Sequence, residues 1–157
     1  MDRKEIAMTP ENVEEILNFA IEGEQAAHDF YVDLAEKAEH PSMKDIFMGF
    51  AKEEAGHKKK LERIKSGTGS FPCKKDVTDL KIGDYLVEVD SAGTLSYQDA
   101  LILAMKREKA AFRLYSDLAA STDDSELKST FQGLAQEEAK HKLRFEVEYD
   151  DRILMHN

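Results

Sequence analysis

Apolar residues recur at helical spacing through four segments, and in each segment a glutamate interrupts the apolar face. In the first, Glu24 lies among Leu17, Ala20, Ala27 and Tyr31. In the second, Glu54 has Phe47, Phe50 and Leu61 at i−7, i−4 and i+7, with His57 at i+3. The third sets Glu108 among Leu101, Ala104, Ala111 and Tyr115, and the fourth sets Glu138 among Phe131, Leu134 and Phe145 with His141 at i+3. At about 100° per residue, each set falls within about 80° on the side that packs. The pattern therefore predicts four amphipathic helices, each aiming a carboxylate inward.

The punctuation supports those helices. Thr9 and Pro10 suit an N-cap and first helical position, with Glu11 in the first turn. That helix is expected to reach about Ala38. Pro41 opens a second, which Ser66-Gly67-Thr68-Gly69 stops after about Lys65. Ser96 with Asp99 resembles a capping box for a third helix running to about Ala120, and Asp124 caps a fourth running to about Asp150. Residues 66–95 contain Pro72, Gly83 and Gly93 and are too long for an ordinary loop. A crossover spanning the bundle accounts for their length, with Ile82–Val87 as a short helix or strand packed outside.

A shift of 84 positions lays Ala20–Glu62 on Ala104–Glu146 without a gap, and 18 of the 43 pairs are identical. About one in fifteen is expected for unrelated segments, so the chain repeats itself. The matched pairs include Glu24/Glu108, Tyr31/Tyr115, Phe47/Phe131, Glu53/Glu137, Glu54/Glu138 and His57/His141. Each repeat is a helix pair, antiparallel because its connection is short. Residues 1–157 are expected to form one all-α domain: a four-helix bundle with helix pairs at about 10–65 and 97–150 and an internal two-fold repeat.

Composition narrows the chemistry. Charged residues make up 34% of the chain, with three Pro, eight Gly and no Trp, which favours helices over sheet. A formal net charge of −10 argues against nucleic-acid binding. The longest apolar run, Ala100–Met105, is too short to span a bilayer, and no apolar segment follows the charged first residues. Cys73 is the only cysteine, so this chain can form neither an internal disulfide nor a cysteine-built metal site. A cytoplasmic location is the expectation.

Burying even one unpaired carboxylate costs several kcal/mol. Four buried together require protonation or neutralisation, and two divalent cations would balance them while leaving both histidines neutral. Glu-x-x-His stacks a carboxylate oxygen and an imidazole nitrogen along one helix face, within reach of one metal. Once, in a charged helix, that motif carries little information. Here it occurs twice, each copy 30 residues after an inward glutamate. The expected ligands are Glu24, Glu54, His57, Glu108, Glu138 and His141, converging on two metal positions about 3–4 Å apart. The competing account is a bundle that kept the pattern and lost the metal.

Around them, Tyr31 and Tyr115 are candidates to hydrogen-bond ligating carboxylates across the bundle; the alternative is an ordinary core tyrosine. Glu53 and Glu137 are candidates to accept the free ring N–H of the histidine on the opposite motif helix, or else they face solvent. His28 reads as a boundary residue, Lys58-Lys59-Lys60 as a solvated face, and His40 and His156 as helix-edge or tail residues.

These residues together resemble the rubrerythrin-like members of the ferritin-like superfamily, over roughly residues 12 to 150. A Glu from each of two helices and Glu-x-x-His from the other two is the ligand arrangement of such di-iron and di-manganese bundles. The resemblance implies a ferritin-like bundle holding two iron ions, with manganese or zinc as substitutes. It also implies reduction of hydrogen peroxide or dioxygen at the six ligands, which then serve as the catalytic residues. Two departures stand out. The paired Cys-x-x-Cys motifs of a rubredoxin-type site are missing, so electrons must come from an external rubredoxin-like donor or reductase. The further glutamate that such proteins carry three residues after the third-helix ligand is here Ala111, which gives a symmetric ligand set closer to a bacterioferritin ferroxidase centre. The expected assembly is a homodimer, with no nucleic-acid or membrane partner. The alternatives are a ferroxidase of ferritin type and a metal-stabilised structural protein without turnover.

Overall fold

Ser96 Oγ accepts the backbone N–H of Asp99 at 3.1 Å, and Asp124 Oδ1 accepts that of Leu127 at 2.9 Å, so two of the expected caps start their helices. In the computed structural model, which describes residues 13–67, 85, 87 and 95–154, these bonds open α3 (Tyr97–Ala120) and α4 (Ser125–Tyr149). Ahead of them run α1 (Val13–Lys37) and α2 (Pro41–Ser66). Pro41 takes the first position of α2, where its missing N–H costs nothing, and Gly67 closes the helix by donating to the Arg63 carbonyl at 3.1 Å. A short π-helical turn, Asp150–Leu154, prolongs α4.

α1 packs on α2 and α3 on α4, and the two pairs meet through α1 against α3. The interior is layered. Tyr31, Leu34, Phe47, Leu101, Ala104 and Phe145 form one apolar cluster. Their repeat mates Tyr115, Leu118, Phe131, Leu17, Ala20 and Leu61 form the other. Within the first, Phe47 and Phe145 stack with centroids 5.7 Å apart, and Tyr31 lies 5.3 Å from Phe145. Each such side chain contributes about 1.5–3 kcal/mol on burial. The two clusters flank the carboxylate-bearing layer.

Among the described residues no helix is long and apolar enough to cross a membrane. The Thr9-Pro10-Glu11 start, most of the 66–95 crossover with Cys73, the expected 82–87 element apart from residues 85 and 87, and His156 lie outside the described residues. Tyr85, from the crossover, is described: it is buried and donates its hydroxyl to Asp117 Oδ2 at 2.6 Å, which ties that point to α3.

Candidate metal centre

One glutamate enters the middle of the bundle from each helix, Glu24 from α1, Glu54 from α2, Glu108 from α3 and Glu138 from α4. His57 and His141 follow one turn after Glu54 and Glu138. All six are at most 3% exposed. Their ligand atoms fall into two overlapping sets, each within 4.8 Å: Glu24, Glu54, His57 and Glu138, and Glu54, Glu108, Glu138 and His141. Glu54 and Glu138 belong to both. Glu54 Oε1 lies 3.2 Å from His57 Nδ1 and 3.4 Å from His141 Nδ1, between the two rings.

Buried polar atoms normally find partners. Here Glu24 Oε2, Glu54 Oε1, His57 Nδ1, Glu108 Oε2, Glu138 Oε1 and His141 Nδ1 have none. His57 Nδ1 comes within 2.9 Å of Glu138 Oε1, but not in hydrogen-bond geometry. Every one of the six side chains thus turns a polar atom without a hydrogen-bond partner toward its neighbours.

The electrostatics point the same way. Burial, and next the charge of Glu54, pushes Glu24 up to about 7. Burial and the charge of Glu138 push Glu54 up to about 7. Glu108 rises to about 8, mainly by burial and with a smaller push from Glu24, against a hydrogen bond to Glu138 that lowers it. Glu138 rises well above the usual range through burial, Glu108 and Glu24. Burial alone would lower His57, but the carboxylates of Glu138, Glu24 and Glu54 outweigh it and hold its pKa far above the usual imidazole range. Such a cluster is costly when ionised, and either protonation or bound cations would relieve it. Carboxylate oxygen with imidazole nitrogen suits iron and manganese, and zinc also binds such sets. The residues fit a metal centre.

The surrounding bonds follow the repeat and cross the bundle. Tyr31 donates to Glu108 Oε1 and Tyr115 to Glu24 Oε1. His57 Nε2 meets Glu137 Oε2, and His141 Nε2 lies 2.5 Å from Glu53 Oε2. In the neutral form that binds metal, Nε2–H would donate outward and leave Nδ1 of each ring to face the carboxylates. The outer carboxylates are partly in solvent, with Glu53 56% and Glu137 45% exposed. Phe50 stacks on the His141 ring at 4.1 Å. His28 stays outside the cluster, with Nδ1 2.9 Å from Asp29 Oδ1. Lys58 and its neighbours lie toward the surface, Lys58 Nζ donating to Gln25 Oε1 at 2.8 Å, and His40 caps α2 without a side-chain bond.

The sequence pattern did not single out Arg107. This residue, beside Glu108, is half-buried with its guanidinium carbon 5.4 Å from the Phe30 ring centroid. Its repeat mate is Gly23. A cation that breaks the repeat next to an inward glutamate was the available signal.

A carboxylate–histidine layer between apolar plugs in a four-helix bundle defines the ferritin-like class. The rubrerythrin family model matches residues 15–149, and the chain belongs to the rubrerythrin family. A hypothetical protein from Pyrococcus furiosus is similar at 28% identity, with 89% of each chain covered and a TM-score of 0.68. A Thermotoga maritima protein described as ferritin-like and diiron-carboxylate is 22% identical, with 87% of this chain and 93% of that one covered and a TM-score of 0.72. A search of curated proteins gives no match.

Proposed function

We propose that the protein is a di-iron oxidoreductase that reduces hydrogen peroxide or dioxygen with electrons from an external donor. The observation that carries this reading is the pair of overlapping ligand sets sharing Glu54 and Glu138. Two ions held there, one by each set, would be balanced in charge by the four carboxylates. Bound iron would supply one electron per ion and positions open to the oxygen substrate.

The chain's own residues do the rest. Glu54 and Glu138 hold the two positions together, while Glu24 with His57 and Glu108 with His141 complete one set each. Tyr115 and Tyr31 fix the carboxylates of Glu24 and Glu108, and Glu137 and Glu53 fix the tautomer of the histidines. Reduction of peroxide to two waters takes two electrons and two protons. Glu53 and Glu137 reach solvent at one end and a buried histidine at the other, which makes them the links between cluster and bulk water.

Tyr115→Phe is expected to keep the fold and weaken metal binding about tenfold, since partners one layer out are worth about 10–100-fold. A chelator-competition titration measures it, and unchanged affinity would leave Tyr115 a core residue only.

The functional test is turnover. The reduced protein mixed with excess peroxide should consume one equivalent per site and stop, because Cys73 alone cannot build a second redox centre in this chain. Adding a rubredoxin and its reductase should restart consumption. If Fe(II) restarts it where the donor does not, and ferric mineral accumulates, the protein is a ferroxidase instead. The symmetric ligand set is the observation favouring that second reading.

A further inference from the structure

A cavity of about 230 Å³, which takes in space among the four inward glutamates, lies between α1 and α3 with Tyr85 and Val87 in its wall. Peroxide, with two heavy atoms, needs far less room. Pockets for drug-sized ligands run about 300–1,000 Å³, so the part of this one left beside bound ions suits a molecule of a few heavy atoms. Its walls are largely apolar, with Phe19, Ala111 and Leu114 among them, and Ala27 and Ala111 keep it open where longer side chains would fill it.

Arg107 is the cation in that wall. Among the described residues no carboxylate lies within ion-pair distance of it; it lies over the face of Phe30, and the charge of Glu54 acts on it from farther off. Its repeat mate Gly23 also lines the cavity, so the charge is present on one side only. On the two-ion reading proposed above, four carboxylates and two divalent ions with neutral histidines sum to zero. Among the described residues Arg107 is then left half-buried beside the site without an ion pair. An arginine stays protonated, and its planar fork matches a carboxylate with two parallel hydrogen bonds. A half-buried charge without a partner is costly, and one anion would balance it.

We propose that this cavity binds a small organic monocarboxylate, with its head on Arg107 and its apolar body along Phe19, Ala111 and Leu114, beside Glu24 and Glu108. The ligand occupies the volume through which the inner carboxylates are reached, so it lies next to the reaction site rather than at a remote surface.

Calorimetric titration of the full chain loaded with Zn(II), which is redox-inert, tests this without turnover. The probes are acetate, butyrate and hexanoate, with hexanol as the neutral control. Binding should be one per chain and tighten by roughly fourfold for each added CH2 that is buried. Hexanol should bind at least tenfold more weakly than hexanoate. Arg107→Met should remove that preference, and Arg107→Lys should restore part of it. Ala111→Leu, which narrows the cavity with the charge intact, should weaken hexanoate more than acetate. Helix content and zinc content are measured on every sample. Two zinc ions bound with no hexanoate binding, equal binding by Arg107→Met, or acetate as tight as hexanoate would each overturn this inference and leave the metal site standing. Failure to take up zinc, iron or manganese would overturn the metal reading, and this inference with it.

Discussion

Replacing Glu54 or Glu138 by Ala is expected to empty both metal positions at once, whereas Glu24→Ala or Glu108→Ala should each empty one. Glu54 and Glu138 contribute ligand atoms to both sets, while Glu24 and Glu108 contribute to one set each. Oxidation of the reduced protein by peroxide should fall at least about a hundredfold in Glu54→Ala, because both ions are required for a two-electron step. Glu54→Gln should do the same without leaving a cavity. Stability should move the other way. In chelator the cluster is a set of mutually repelling buried carboxylates, so Glu54→Gln should unfold at a higher temperature than the parent. With metal, the parent should be the more stable. Metal content per chain and melting temperatures in chelator and in metal measure both effects. A Glu54→Ala protein that still held two ions would sink the shared-ligand assignment.

Melting of the metal-free protein should fall as pH rises from about 5 to about 8, and metal should reverse that trend. The buried carboxylates have folded-state pKa values above the ordinary 4.5, about 7 for Glu24 and Glu54 and about 8 for Glu108. A group raised on folding binds its proton more tightly in the native state. Its contribution is fully present below 4.5 and is lost as pH climbs through the folded values. His57, also raised, acts in the same direction above its ordinary 6.5. A tenfold difference in proton affinity between the folded and unfolded chain is worth about 1.4 kcal/mol. The groups titrate together and do not add, so the combined loss is several kcal/mol, on the order of 10 °C for a chain of this size. Metal needs the ligands deprotonated, so its stabilisation grows over the same window. Scans at pH 4 and pH 7 with and without Zn(II) decide the matter. An equal rise in melting temperature on adding metal at both ends would be incompatible with carboxylate ligands of raised pKa.

The helices and their inward residues were legible from the chain because they depend on local quantities. A 3.6-residue period sets the angle of each side chain about its own helix axis, so Glu54, His57, Phe47 and Leu61 had to share a face wherever α2 came to lie. Ser96, Asp124 and Pro41 mark helix starts through bonds spanning a few residues or none, and the structure begins α3, α4 and α2 beside them. The repeat at an offset of 84 residues carried this further, since two copies of one helix pair pack most simply about a two-fold axis. What periodicity along one helix leaves open is the axial offset and partner choice between helices, which depend on how all four pack together. Tertiary structure alone therefore decided that Tyr31 reaches Glu108 and Tyr115 reaches Glu24, and that Glu53 and Glu137 turn to the opposite histidines rather than only to solvent. It decided that Glu54 and Glu138, rather than Glu24 and Glu108, are common to both ligand sets. It also made a cavity out of small residues on α1 and α3 and set Arg107 in its wall. Neither is visible along a single helix, because a void and the surroundings of a charge are properties of the space between elements.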